Sequence, residues 1–269
     1  MLKQLWDKLQ GNGAGDQVDL NLDPFLFEQL DKASHIVALT GAGISAESGI
    51  PTFRGEEGLW KKMNPQELAN VDAFMENPDL VSEWYEHRRE IIDSVKPNPG
   101  HKTLVAMEDV FDYVTIITQN VDGLHQQAGS SNVIELHGNI YRNYCIDCGK
   151  RYDYNNLKRS KEGVPTCTEC GGYIRPDVVW FGEPLPMAAI HEAERYASSA
   201  DVMFSIGTSA VVYPAAGIPR LAKNHEAYLV EINPDHTDIS LIADESIHQK
   251  AGIALPELMH QYLQWKSSE

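Results

Sequence analysis

Short apolar runs and longer helical stripes alternate along this chain. His35 to Thr40 (HIVALT), Tyr113 to Thr118 (YVTIIT), Val133 to Leu136, Val202 to Ile206 and Ala227 to Ile232 are rich in β-branched and apolar residues, and each ends in a glycine or polar turn. Those runs predict strands. Leu2, Leu5, Trp6 and Leu9 have helical spacing and stop at Gly11-Asn12-Gly13-Ala14-Gly15, which reads as a short appended helix on a flexible linker. Asp23-Pro24 can cap and start a second helix carrying Phe25, Leu26, Phe27 and Leu30. From about Leu59 to Met107 the chain reads as a helical insert punctuated by Pro65, Pro78, Pro97 and Pro99. Its best helix runs from near Pro78 to Val95. Leu80, Trp84, His87 and Ile91 mark one stripe there, and Val81, Tyr85, Arg88 and Ile92 the adjacent one, so Tyr85 and Arg88 share a face. Strand and helix alternation of this kind predicts an α/β fold with a parallel, Rossmann-like sheet and its inserts on the ligand side, at the carboxyl ends of the strands.

Composition bounds what such a fold can do. At 269 residues and 42% hydrophobic content the chain can bury a sizeable core in one large domain or in a large domain carrying a small one. A formal net charge of −17 without a large basic cluster argues against nucleic acid as a direct ligand. The carboxylate excess suits lysine-rich partners, and a merely well-solvated surface explains it equally well. No run of eighteen apolar residues occurs and the N-terminus lacks an apolar signal core, so no membrane association is expected and a cytoplasmic location is.

Two spacings carry chemistry. Gly41-Ala42-Gly43-Ile44-Ser45-Ala46 follows the first strand in the G-x-G-x-x-[GA] form of a dinucleotide-binding turn: Gly41 for the reversal, Gly43 for approach of backbone N–H groups to a pyrophosphate, Ala46 for close packing of helix on strand. A dehydrogenase would place an acidic residue about twenty positions further on, at a strand end. Here that distance falls in the helical insert, which disfavours hydride transfer. Cys145-x-x-Cys148 and Cys167-x-x-Cys170, eighteen residues apart, use every cysteine in the spacing of a four-thiolate zinc site. Such a site is closed to water and points to one structural Zn2+. Two disulfides, and a zinc ribbon that binds a partner, are the other readings.

Several ordered segments then resemble one family. The block from Gly41 through Ser48-Gly49-Ile50-Pro51-Thr52-Phe53-Arg54-Gly55, the loop Gln119-Asn120-Val121-Asp122-Gly123-Leu124-His125, Glu135-Leu136-His137-Gly138-Asn139 just before the cysteines, Arg175 to Glu183 (RPDVVWFGE) and Gly207 to Pro214 are similar to the sirtuins, NAD-dependent protein-lysine deacylases. The resemblance implies one sirtuin-type domain over 1–269. Within it the Rossmann-like large lobe is expected at 20–58, 108–138 and 175–269, the helical insert at 59–107 and the zinc-binding module at 139–174. It implies NAD contacts from Gly41, Ala42, Gly43, Ile44, Ser45, Ala46, Glu47, Phe53, Arg54, Trp60, Gln119, Asn120, Val121 and Asp122, and from Gly207, Thr208, Ser209, Asn233, Pro234, Asp235 and Ala251 toward the adenosine.

The resemblance also implies a reaction. The acyl oxygen of a modified lysine attacks the anomeric carbon of the nicotinamide ribose, nicotinamide leaves, and a ribose hydroxyl attacks the resulting imidate, ending in free lysine and 2'-O-acyl-ADP-ribose. His137 is the expected base, since an imidazole titrates close to working pH, although a lone histidine at a strand end is commonly structural. Asn120 would orient the ribose, Asp122 hold the nicotinamide carboxamide, and Phe53 exclude water. The substrate protein or peptide would lie extended beside Val179 and Phe181. Protein ADP-ribosyl transfer and a non-catalytic zinc-ribbon adaptor are the alternatives. Tyr85 and Arg88, with Ala69 sixteen residues before Tyr85, resemble the Tyr-x-x-Arg signature of class III sirtuins that accept succinyl- and malonyl-lysine. The plain alternative is a half-buried ring beside a solvated charge.

Overall fold

Residues 20–53, 65–154, 157 and 163–268 are described by the structure, a computed structural model. The expected helix at Leu2 to Leu9, Arg54 and Trp60 lie outside the described residues. Asp23 opens α1 (Pro24–Lys32) by accepting the Phe25 N–H at 2.9 Å, with Pro24 in the first turn where its missing N–H costs nothing. The chain then enters β1 (His35–Thr40) and the five-residue α2 (Ala42–Ala46). Helices α3 (Pro65–Leu68), α4 (Val71–Glu76) and α5 (Pro78–Asp93) form the insert; Asn70 caps α4 and Asn77 caps α5. There follow α6 (Pro99–Met107), β2 (Tyr113–Thr118), α7 (Leu124–Ala128), β3 (Val133–Glu135), β4 (Gly138–Cys145), β5 (Arg151–Asp153) and β6 (Ile174–Val178). The chain ends with α8 (Met187–Ala197), β7 (Val202–Ile206), α9 (Ile218–Asn224), β8 (Tyr228–Ile232), β9 (Glu245–Ile247) and α10 (Ala251–Ser268).

Six strands make one parallel sheet in the order β3-β2-β1-β7-β8-β9. Its central strands β1, β2, β7 and β8 are buried at nearly every position because both faces are covered. Ile36, Ala38, Phe204 and Val230 face a core shared with Leu26 and Leu30 of α1, Leu104 and Met107 of α6, and Leu255 and Leu258 of α10. Val37, Leu39, Met203 and Leu229 face Ile190 and Ala193 of α8 and Ile218 and Ala222 of α9. Each fully buried Leu or Ile contributes about 1.5–3 kcal/mol relative to exposure.

The expected lobe boundaries move in two places. Helix α6 was counted with the insert, yet Leu104 and Met107 sit in the sheet core, so it belongs to the large lobe. Residues 175–178 were counted with the large lobe, yet β6 pairs antiparallel with β4, from Gly138 opposite Val178 to Cys145 opposite Ile174, in a small sheet of order β5-β4-β6. Both shifts depend on distant partners that local periodicity does not encode. Among the described residues no helix is long and apolar enough to cross a membrane.

Candidate active site

The sheet's strand order reverses at β1, whose neighbours are β2 on one side and β7 on the other. Loops leave such a switch point in opposite directions and open a crevice at the carboxyl ends. Here the crevice floor is closed by backbone contact. Gly41 donates its N–H to Ile206 O at 2.9 Å and Gly43 to Gly207 O at 2.8 Å. A Cβ on Gly41 would lie 2.7 Å from Gly207 O, and one on Gly43 only 2.6 Å from Gly207 Cα. The glycines are therefore required for loop-on-loop contact, and the Gly43 N–H is engaged inside the chain. Ala46 departs from expectation. It is exposed, because α2 ends there instead of running back along the strand, and the close packing is done by Gly41 and Gly43.

Around this floor the polar residues form one network. Asn120 donates from Nδ2 to Gly41 O (3.0 Å) and to Ser45 Oγ (3.3 Å), and Ser45 Oγ donates to Asp122 Oδ2 at 2.7 Å. The other Asp122 oxygen accepts the Leu124 N–H at 2.9 Å. Burial pushes the Asp122 carboxyl up, and those two donors together with the charge of Arg88 pull it back. Gln119 Nε2 donates to Thr208 Oγ1 (2.9 Å) and Asn233 Nδ2 to Thr208 O (2.9 Å), joining the ends of β2, β7 and β8. Ile44 packs into the sheet core and Val121 against the cluster under α5, whereas Ser209, Pro234 and Asp235 stand exposed at the crevice rim. Ala251 is buried at the start of α10. Glu47 has its carboxylate on the Gly252 N–H at 2.6 Å, a contact with the first turn of α10.

His137 follows β3 and faces the same crevice. Its Nδ1 lies 3.0 Å from Gln119 O. A carbonyl only accepts, so Nδ1 carries the proton and Nε2 is left with its lone pair. Burial lowers the pKa of this imidazole and the carbonyl partly offsets that, which keeps the ring neutral and basic near neutral pH.

Beside the crevice, α5 brings its inner stripe onto a third apolar cluster containing Ala69, Phe74, Val81, Tyr85, Ile92 and Trp180. Tyr85 and Arg88 are both buried, at 3% and 4% exposure, which rules out a solvated charge at Arg88. Its guanidinium stands 5.1 Å over the Phe53 ring and 5.8 Å over that of Trp84, and Nη1 has no hydrogen-bond partner among the described residues. The Tyr85 oxygen accepts the Trp180 Nε1–H at 2.6 Å. The expected edge for a peptide is partly occupied within the chain: Val179 N–H goes to His137 O (2.9 Å) and Phe181 N–H to Ala69 O (2.8 Å). The Phe181 ring itself is 39% exposed.

The four cysteine sulfurs lie within 4.8 Å of one another, with Cys145 and Cys170 at 3.4 Å and Cys148 and Cys167 at 3.6 Å. Four sulfurs about 2.3 Å from one tetrahedral zinc stand roughly 3.8 Å apart, so the cluster fits the ion, and none of the cysteines is in a disulfide. Tyr152 donates its hydroxyl to Cys167 Sγ at 3.1 Å, a contact that helps hold a thiolate.

Asn98, His101 and His125 carry little signal in the sequence. Asn98 caps α6 through Gly100 N–H (2.9 Å) and also donates to Ile44 O (2.6 Å) and Ser48 Oγ (2.9 Å), tying the insert's exit to the nucleotide loop. An Asn between two prolines was its signal. His101 and His125 are buried with ring centres 4.9 Å apart, and His125 Nε2 meets Thr40 Oγ1 at 2.9 Å beneath the crevice. Burial drives their pKa values down to about 4 and about 3.

The sequence pattern of the Sir2 family matches residues 41–214, the span that holds the crevice floor, His137 and the cysteines. The chain belongs to the Sir2 family. This sirtuin is 52% identical over 233 residues to the NAD-dependent protein deacylase of Aquifex aeolicus, covering 86% of this chain and 96% of that protein. It is 53% identical over 215 residues to NAD-dependent protein deacylase 1 of Caldanaerobacter subterraneus, covering 80% and 88%. Among solved structures, a Sir2 homologue–NAD complex superposes with a TM-score of 0.85 at 42% identity, covering 91% of this chain and 95% of the other. A Sir2–p53 peptide–NAD+ complex gives 0.79 at 34% identity, covering 93% and 100%.

Proposed function

We propose that this sirtuin removes acyl groups from protein lysines at the expense of NAD, and that its substrates include succinyl- and malonyl-lysine as well as acetyl-lysine. The relatives' names and the NAD- and peptide-bound neighbours support the general activity. NAD, when bound, supplies an anomeric carbon whose nicotinamide can be displaced by the acyl oxygen. The crevice suits it: Ser45, Asn120 and Asp122 offer donors and acceptors to a carboxamide and ribose, and Thr208 and Asn233 do so at the adenosine end. His137 takes a hydroxyl proton at Nε2, the nitrogen left basic by the Gln119 contact. Four cysteines gathered for a metal fit a reducing, cytoplasmic setting.

The acidic-acyl reading is carried by one observation. Arg88 Nη1 and the Tyr85 hydroxyl proton are buried donors, three residues apart on α5, with no acceptor among the described residues. Leaving a buried cation without a hydrogen-bonded partner is costly, and a carboxylate at the end of an acyl chain relieves that cost through charge-assisted bonds. Arg88→Met should therefore lower kcat/KM on succinyl peptides at least about tenfold more than on acetyl peptides. Equal losses on both would return Arg88 to a structural role.

A further inference from the structure

The geometry points to Trp180 as a specificity-positioning residue: its indole N–H fixes the direction of the Tyr85 hydroxyl, and the Arg175–Glu183 pair fixes the indole. This deepens the acidic-acyl reading and rests on it. A phenol oxygen has one proton and two lone pairs. With Trp180 Nε1–H directed at Tyr85 Oη at 2.6 Å, the phenol proton must point away from the indole. That proton has no acceptor among the described residues, and Arg88 lies one turn further along the same helix. Accepting a bond also polarises the phenol and makes it a better donor. The hydroxyl is thus aimed before any substrate arrives.

Trp180 is itself held from several sides. The Arg175 guanidinium lies 3.2 Å from the centre of the indole ring, a close cation–π stack, and both groups are almost wholly buried. Glu183 grips that guanidinium with both oxygens, at 2.6 and 3.0 Å, and Arg175 Nη2 also donates to Val178 O at 2.7 Å. Glu183 Oε2 accepts the Trp180 backbone N–H at 2.7 Å as well. The chain from Val178 to Glu183 therefore wraps around one guanidinium. The same segment touches His137 O through Val179 and Ala69 O through Phe181, so the base, the acyl pocket and the indole share one support. A buried indole that merely needed an acceptor would explain the 2.6 Å bond, but it predicts an effect on stability and none on the choice of acyl group.

The test measures kcat/KM on succinyl- and acetyl-lysine peptides for Trp180→Phe, Tyr85→Phe and the double variant. Site-specific replacement of Trp180 by benzothienylalanine, which keeps the bicyclic shape and exchanges N–H for sulfur, covers the case in which Trp180→Phe folds poorly. Each single change should lower the succinyl-over-acetyl ratio about threefold to tenfold, the worth of one neutral hydrogen bond. The double variant should lose little more than Tyr85→Phe alone, because both act through one hydroxyl. An unchanged ratio in a folded Trp180 variant, while Arg88→Met loses its acidic preference, overturns the positioning role and leaves the acidic-acyl reading standing. An unchanged ratio in Arg88→Met removes that reading, and the positioning role with it.

Discussion

The cysteine cluster at the end of β4, half of it exposed, and the buried Tyr85–Arg88 pair of α5 both gather polar groups, and they differ in what those groups meet. In the cluster four sulfurs face one centre and every ligand is supplied by the chain. On α5, Arg88 Nη1 and the Tyr85 proton have no acceptor among the described residues. A set of groups that completes itself, given a metal, adds to folding. Donors held without an acceptor destabilise the free protein, and a ligand that brought the acceptor would offset that cost. The same contrast separates Ser45, Asp122 and Asn120, which hold one another in place, from His137, whose Nε2 is left available.

Removing the metal is the largest expected perturbation. Structural zinc sites carry apparent binding energies of about 10 to 16 kcal/mol, so a strong chelator should loosen or unfold the small lobe, and metal analysis of the native protein should return one zinc per chain. Native, metal-free protein with all four cysteines titrating as free thiols would break the contrast. Next in size, His137→Ala should cost about a hundredfold to ten-thousandfold in turnover while the fold and NAD binding survive. In the parent enzyme the acid limb of kcat/KM should lie below 6.5, the ordinary imidazole value, because a pKa lowered by burial keeps the ring deprotonated as pH falls. An acid limb above that value would contradict the environment described for this ring. Smallest is Asn98→Ala, which removes a helix cap and two donors from the self-completed side of the comparison. It should cost about 0.5–2 kcal/mol in urea unfolding and leave the succinyl-over-acetyl ratio alone. A shifted ratio would mean that the nucleotide loop and the acyl pocket are not independent.

Much of this was legible in the sequence because it is local. β1, β2, β7 and β8 start and stop close to where the apolar runs do, and each stop delivers a polar loop to one edge of the sheet. Cysteine spacing is likewise a short-range constraint, and it brought the sulfurs together. What escaped was set by long-range contact. The Tyr85 hydroxyl meets a tryptophan 95 positions away. The motif marks Gly43 as a point of close backbone approach, and the Gly207 backbone that leaves no room for a side chain there lies in a loop far along the chain. β6 lies next in sequence to the large lobe, and only its antiparallel pairing with β4 assigns it to the small sheet.

The histidine pair under the crevice makes this fold a proton sponge in reverse. Folded protein refuses protons at His101 and His125 until about pH 4 and about pH 3, whereas the unfolded chain takes them up near 6.5. Both folded values are depressed, so their contribution is intact above about 6.5 and is lost as pH falls below it, at up to roughly 1.4 kcal/mol per pH unit for each ring. Unfolding on the acid side is therefore coupled to proton uptake, and the slope of stability against pH between about 5 and 6 counts these rings together with His35 and His137, whose pKa values burial also lowers. Replacing His101 by Gln should reduce that count by one, and an unchanged slope would mean that the imidazole is already charged in the native protein. An enzyme of this design carries its acid sensitivity under its cofactor crevice, where proton binding would strike the Thr40 contact and the floor of the site together.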